Sequence, residues 1–75
     1  MSDAELLAAI GARIREARKR AGLTQARLAE LVFVASMSLK NWEAGRTNPG
    51  ATSVIRLAAV LRVGVGWLLL GDDGG

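Results

Sequence analysis

Apolar residues recur along most of this chain at the spacing of one helix face, and glycine or proline interrupts them at short intervals. Residues typical of strands are few, since the chain has no Tyr and a single Phe, and no stretch alternates apolar with polar side chains. The pattern predicts an all-α fold. In the first third of the chain, the apolar stripe comprises Leu7, Ile10, Ile14, Ala17 and Ala21.

Local end signals define the first two helices. Ser2 and Glu5 fit a capping box, and Gly22 supplies the left-handed residue that ends the first helix. Gly11 lies inside this helix, where it costs about 1 kcal/mol relative to Ala, so we expect it to mark close packing against another helix. Thr24 is a suitable N-cap for the second helix, which needs the rest of the fold because it is short.

Three further helices are predicted after the second. The third begins near Ala35 or Ser36 and runs to about Ala44, where Gly45 ends it. Residues 46–50 form a loop by composition, and a fourth helix covers residues 51–62 until Gly64 breaks it. We expect a fifth helix over residues 65–70, a frayed tail over residues 71–75, and one domain over residues 1–75 with an ordered core at about 3–70.

The composition argues against several classes of protein. The chain has 75 residues, no Cys and no His, which removes disulfides, thiolate and imidazole metal sites and the usual general base. We therefore expect no enzyme, no metal and no cofactor; the only paired carboxylates are Asp72 and Asp73. The N-terminus carries Asp3 and Glu5 and no basic segment, so we expect neither a signal peptide nor a membrane span, and a cytoplasmic location.

Charge is concentrated in the middle of the chain. Between residues 13 and 46 there are eight basic residues against three acidic ones, whereas both ends are acidic. Such a basic middle is typical of a surface that faces a polyanion such as DNA. A solvent-exposed helix face explains the charges equally well, so charge alone leaves both interpretations open.

The second and third predicted helices are joined by a short turn, a pattern typical of the DNA-binding helix-turn-helix, whose second helix enters the major groove. Residues 10–70 resemble the lambda-repressor/Cro type of domain, the XRE family. The most specific match is Gly22-Leu23-Thr24-Gln25, then Leu28-Ala29, then Trp42-Glu43-Ala44-Gly45-Arg46. Further matches lie at residues 10–15, 18, 48–49, 57–58, 61, 63 and 65–69.

This resemblance implies two sets of contacts with double-stranded DNA. Gln25 opens the second helix, where members of the family contact a phosphate through this side chain and the helix N-terminus. The loop after the recognition helix is implied to grip the DNA backbone through Arg46, Thr47 and Asn48. The residues implied to face the bases are Ser36, Met37, Lys40 and Asn41.

The chemistry of these side chains agrees, although plainer interpretations stay open. Asn41 can bond adenine bidentately, Lys40 can reach guanine or a phosphate, and Met37 can touch a thymine methyl group. Alternatively, Ser36 is only an N-cap, Met37 fills a gap in packing, Lys40 is a solvent-exposed charge, and Gln25 is a helix former.

Other matching residues are implied to be structural. Arg18 and Glu43 correspond to a pair that forms a salt bridge between the first helix and the end of the third. Such a pair fixes the recognition helix on its scaffold, and loss of one partner leaves a partly buried charge unpaired. We expect Trp42 and Trp67 to be core residues.

Two departures from the family pattern fall at the turn. Phe33 stands where the family usually has Gly in a left-handed conformation, which is costly for Phe. The turn is therefore reshaped or strained, and Phe33 is buried, in contact with DNA sugars, or against a partner protein. Ala35 replaces the usual polar N-cap of the recognition helix, a loss of about 1 kcal/mol unless Ser36 takes over the cap.

Two functional hypotheses follow. The first is a repressor-like transcriptional regulator that binds a two-fold symmetric operator as a homodimer through its C-terminal helices, including Val63, Val65, Leu69 and Leu70. The second is a protein-interaction module, such as the antitoxin of a toxin–antitoxin pair, that uses Phe33 and Met37 to contact protein. The same C-terminal residues can also simply close the core of the monomer.

Overall fold

The computed structural model describes residues 1–72 and contains five helices within that range. They are α1 (Asp3–Arg20), α2 (Gln25–Leu31), α3 (Ser36–Glu43), α4 (Ala51–Leu61) and α5 (Val65–Leu70). The predicted all-α architecture is confirmed, and the described part of the chain has no strand. Residues 73–75 of the predicted tail, including Asp73, lie outside the described residues.

The predicted capping signals start the first two helices and end the first and third. Ser2 and Glu5 form both bonds of a capping box on α1, and the Thr24 hydroxyl accepts from the backbone N–H of Arg27 at the start of α2. Gly22 and Gly45 both adopt left-handed conformations, with φ of 72° and 74°. These are local interactions, which is why the sequence alone locates them well.

Two details of the sequence-based prediction are wrong. Gly64 does not end α4. That helix ends at Leu61, where Arg62 is the C-cap in a left-handed conformation, and Gly64 is instead the N-cap of α5. Ala21 does not belong to the buried stripe of α1; it is exposed, because it is the C-cap where the chain turns away from the core.

All five helices contribute to one apolar core. Ile14, Leu28, Leu39, Leu57 and Leu68, one from each helix, are at most 1% exposed. Each such side chain stabilises the fold by roughly 1.5–3 kcal/mol through its burial, so no helix is an optional addition. The α3 helix packs against both α1 and α2, which leaves one side of α3 outside the core.

Arg13 of α1 binds the C-terminal end of α5. Its Nε donates to the Leu68 carbonyl oxygen at 2.9 Å and its Nη2 to the Leu69 carbonyl oxygen at 3.0 Å. These carbonyls belong to the last turn of α5 and have no partner within the helix, so the guanidinium adds to the cap that left-handed Gly71 provides. Between residues 1 and 72, no helix is long and apolar enough to cross a membrane.

Candidate nucleic-acid interface

The α2 and α3 helices are held together through their inner faces. Leu28 and Ala29 of α2 are at most 1% exposed, and Val32 in the connecting turn is fully buried. On α3, Leu39 is fully buried and Trp42 is 8% exposed. Since short helices have little stability of their own, this packing fixes the direction in which the other side of α3 points.

The outer face of α3 carries the side chains that the resemblance assigns to base reading. Ser36, Met37 and Lys40 are exposed, with Met37 62% exposed, and Asn41 is half-buried. Their spacing of one, three and four residues puts them on a single face of the helix. The packing-gap interpretation of Met37 does not fit this exposure.

The turn between the two helices keeps its left-handed residue even though that residue is Phe33. Its φ is 63°, and the Val34 N–H donates to the Ala29 carbonyl oxygen at 3.0 Å to close the turn. The side chain is 79% exposed, so burial of Phe33 is excluded. The Arg56 guanidinium lies 5.2 Å from the ring centroid, within cation–π distance.

The start of α3 lacks a side-chain cap. Ala35 occupies the N-cap position, and no side chain bonds the free N–H groups of the first turn. Ser36 belongs to the first turn of α3 and does not take over the cap. The N–H groups at this end of α3 are therefore available to water or to a ligand.

Arg18 and Glu43 form a buried, two-pronged ion pair between α1 and α3. Arg18 Nε donates to Glu43 Oε2 at 2.7 Å and Arg18 Nη2 to Oε1 at 3.0 Å. The two side chains are only 11% and 4% exposed. Arg18 Nη1 also donates to the Leu23 carbonyl oxygen at 2.9 Å, which ties the loop before α2 to the same pair. The arrangement connects α1, the loop and α3 in one network.

Gln25 joins this network, which sequence reasoning missed. Its Nε2 donates to Glu43 Oε1 at 3.1 Å, across 18 residues of sequence. The side chain is half-buried, and one of its two amide N–H groups is left for another acceptor. The sequence does not indicate this bond, because the residue types of Gln25 and Glu43 do not show how close together the fold brings them.

The loop after α3 exposes the other residues assigned to the DNA backbone. Arg46, Thr47 and Asn48 are all exposed, and the Arg46 N–H donates to the Asn41 carbonyl oxygen at 2.9 Å. Pro49 is buried and anchors the far end of the loop. Asn48 borders an apolar part of the surface.

That apolar surface consists of two adjoining grooves, of about 490 and 390 Å³. Ile10, Asn48 and Leu69 line both grooves, so they are continuous. We call them the C-terminal groove. Its other apolar lining residues are Leu6, Leu7 and Leu70 in one part and Pro49, Ala51, Val54, Ile55 and Val65 in the other.

Comparison of the sequence with known proteins identifies regulators. DicA of Escherichia coli (strain K12), an HTH-type transcriptional regulator, is 36% identical over 64 residues, which cover 85% of this chain and 47% of DicA. Repressor protein C2 of Salmonella phage P22 is 33% identical over 63 residues, which cover 84% of this chain and 29% of the repressor. The chain thus spans less than half the length of these two curated relatives.

Solved structures show the same fold. The P22 c2 repressor, in complex with a synthetic operator, matches with a TM-score of 0.81 and 33% identity over 84% of this chain and 96% of that one. The restriction-modification controller protein C.AhdI from Aeromonas hydrophila matches with a TM-score of 0.78 and 31% identity over 83% and 94%. The helix-turn-helix family model matches residues 14–68. This chain therefore belongs to the lambda-repressor/Cro-like (XRE) family of helix-turn-helix proteins.

Proposed function

We propose that this chain is the DNA-binding part of a sequence-specific transcriptional regulator, a repressor, that inserts α3 into the major groove of duplex DNA. The observation that carries the proposal is the division of α3 into two sides. Leu39 and Trp42 are buried on the inner side, whereas Met37 and Lys40 project from an uncovered outer side. A groove about 12 Å wide admits one such helix.

The proposed contacts divide into base reading and backbone binding. Asn41, Met37 and Ser36 face the bases, and Lys40 reaches either a base or a phosphate. Gln25, Arg46, Thr47 and Asn48 contact phosphates and fix the position of α3 along the groove. The backbone contacts supply affinity for every DNA sequence, and the base contacts supply the preference for one sequence over another.

The relatives support this function. DicA is named as a transcriptional regulator, and the P22 c2 repressor was solved on an operator. Regulators of this kind bind DNA and catalyse no reaction, so we infer no enzymatic activity for this chain. The antitoxin alternative finds no support among these relatives. A regulator works where the chromosome lies, from which we infer a cytoplasmic location.

We further propose that the protein binds a two-fold symmetric operator as a homodimer. The C-terminal groove supports a dimer interface, because Leu70 is 77% exposed, Ile55 62% and Val65 40%. A single small domain has limited affinity, and two copies on half-sites about one helical turn apart multiply it. The groove includes α5, which Arg13 holds in place, so its shape is fixed before association.

Selection of binding sites from random duplex DNA tests the function. We expect a recovered motif with two-fold symmetry. With about six phosphate contacts, the log–log slope of the binding constant against salt should be roughly −5. No motif, together with binding that barely responds to salt, would contradict the proposal and favour an apolar protein interface instead.

A further inference from the structure

A polar cleft of about 340 Å³ lies between α1, the start of α2 and the end of α3. Arg15 of α1 and Lys40 of α3 line it with exposed side chains. Arg18, Gln25 and Glu43 form its inner part, where the ion pair is almost fully buried. We call this the Arg15–Lys40 cleft.

The cleft carries a surplus of positive charge. Glu43 is its single carboxylate, and both of its oxygens are already engaged, by Arg18 on two sides and by the Gln25 amide. The ion pairs found among residues 1–72 are Arg18–Glu43, Arg20–Glu16 and Arg27–Glu30, so Arg15 and Lys40 have no carboxylate partner there. Two uncompensated cations bordering one cleft favour the binding of an anion.

We propose that the Arg15–Lys40 cleft binds one backbone phosphate of the DNA, with Arg15, Lys40 and the free amide N–H of Gln25 as its donors. A phosphodiester offers two unbridged oxygens and one negative charge. Arginine can bind both oxygens with its planar fork, and lysine acts as a point charge beside them. This proposal rests on the proposed function and names a backbone contact that the family resemblance did not assign to Arg15.

The buried pair gives the cleft its geometry. Because Glu43 binds one amide N–H of Gln25, the Gln25 side chain is held at the cleft rather than free to turn in solvent. Arg18, held on two oxygens, neutralises Glu43, so that the carboxylate does not repel the phosphate. Glu43 is therefore a positioning residue for Gln25, as well as a link between α1 and α3.

The proposal assigns Lys40 to a phosphate. The sequence had left open whether its side chain contacts guanine or a phosphate. A lysine that shares a phosphate with Arg15 supplies affinity and no base preference. The base-facing set is then reduced to Ser36, Met37 and Asn41. Binding sites selected by the protein should accordingly contain no base pair that depends on Lys40.

The test uses the operator recovered by selection and the substitutions Arg15→Gln and Lys40→Gln. Because both cations neutralise the same phosphate, the double variant should lower the magnitude of the salt slope by about 0.9, and therefore weaken binding about fivefold at ~0.15 M salt, for every sequence alike. Each single variant should show part of this loss. Arg20→Gln is the matched control, because Arg20 lies on the same helix, loses the same charge and lines a different part of the surface. We expect the control to change binding less than twofold, since charges beyond ~8 Å are screened at this salt.

Operator duplexes with single neutral methylphosphonate linkages then locate the contact. At one linkage, neutralisation should weaken the wild-type protein more than it weakens Arg15→Gln or Lys40→Gln, because each variant has already lost one of the donors to that phosphate. If the sensitivity of the two variants is reduced at different linkages, or if Arg15→Gln behaves like Arg20→Gln, the shared phosphate site is wrong while the proposed function stands. A loss at one base pair with Lys40→Gln returns Lys40 to the base-reading set. If wild type binds no duplex, both proposals fail.

Discussion

Gly11 of α1 lies directly against the backbone of Trp42 in α3. A Cβ atom built on Gly11 would be 2.8 Å from the Glu43 carbonyl oxygen and closer still to that of Trp42. Such distances are too short for any side chain, so the absence of one at Gly11 sets how near the two helices approach. The close packing predicted for this glycine is confirmed, and it fixes how closely α3 packs against α1.

Gly11→Ala should therefore destabilise the protein. The gain of about 1 kcal/mol in helix propensity is outweighed by an overlap with backbone atoms, for which overpacking typically costs roughly 1–3 kcal/mol. Urea unfolding followed by circular dichroism measures the change. Gly66→Ala is the matched control, because its Cβ would meet the nearest atom at an ordinary 3.7 Å. Equal stability of the two variants would show that α1 and α3 can separate without cost.

Loss of the buried carboxylate should lower the free energy of unfolding far more than loss of an exposed one. Glu43→Gln leaves Arg18 largely buried without its counter-charge, and we expect a loss of about 3 kcal/mol in the free energy of unfolding. Glu16→Gln removes the exposed partner of Arg20 and should cost at most about 0.5 kcal/mol. Urea unfolding of both variants tests the difference, and a comparable effect of the two would contradict the structural role of the Arg18–Glu43 pair.

The strained turn offers a route to higher stability. At a φ of 63°, Phe33 occupies a conformation that costs a side-chain-bearing residue roughly 1–2 kcal/mol, and glycine avoids that cost. Phe33→Ala keeps the strain and Phe33→Gly relieves it, while both remove the contact with Arg56. We expect the Gly variant to be more stable than the Ala variant by about 1 kcal/mol in urea unfolding. The reverse order would mean that the turn is not left-handed in solution.

The sequence predicts the helices well and their mutual contacts poorly. The boundaries at Ser2, Thr24, Gly22 and Gly45 depend on neighbours within a few residues, so the pattern was sufficient to locate them. The end of α4 was predicted to within one residue, but the residue that ends it was not, because Arg62 is left-handed without being glycine and composition does not reveal such a conformation.

The same limit applies to the candidate site. The resemblance supplied Arg18 and Glu43 as a pair, but the bond from Gln25 to Glu43 links helices that are adjacent only in the folded chain. Arg15 was missed for a similar reason, since its placement beside Lys40 depends on how α1 crosses α3. Contacts between distant residues need the fold before they can be deduced.

The proposed dimer can be separated from the fold of the monomer. Leu70→Asp places a charge in the C-terminal groove at a side chain that is 77% exposed, so the monomer should remain folded. Each copy would lose about 2 kcal/mol of apolar burial at the interface, so the dimer dissociation constant should rise more than tenfold. Sedimentation equilibrium measures it. Ala59→Asp, exposed on α4 outside the groove, is the control for added charge. An unchanged constant would place the interface elsewhere.

A substitution at Asn41 can separate the preference for a base sequence from the overall affinity for DNA. Its amide can donate to and accept from adenine at once, and a good bidentate pair discriminates against the wrong base by roughly 1–3 kcal/mol. Asn41→Ala should therefore relax the preference at one base pair and leave binding to unrelated sequences nearly unchanged. Arg46→Gln is the counterpart, because loss of a proposed contact with the DNA backbone should weaken binding to every sequence equally. Titration against all single-base variants of the selected operator measures both effects. A uniform loss with Asn41→Ala would remove Asn41 from the base-reading face of α3.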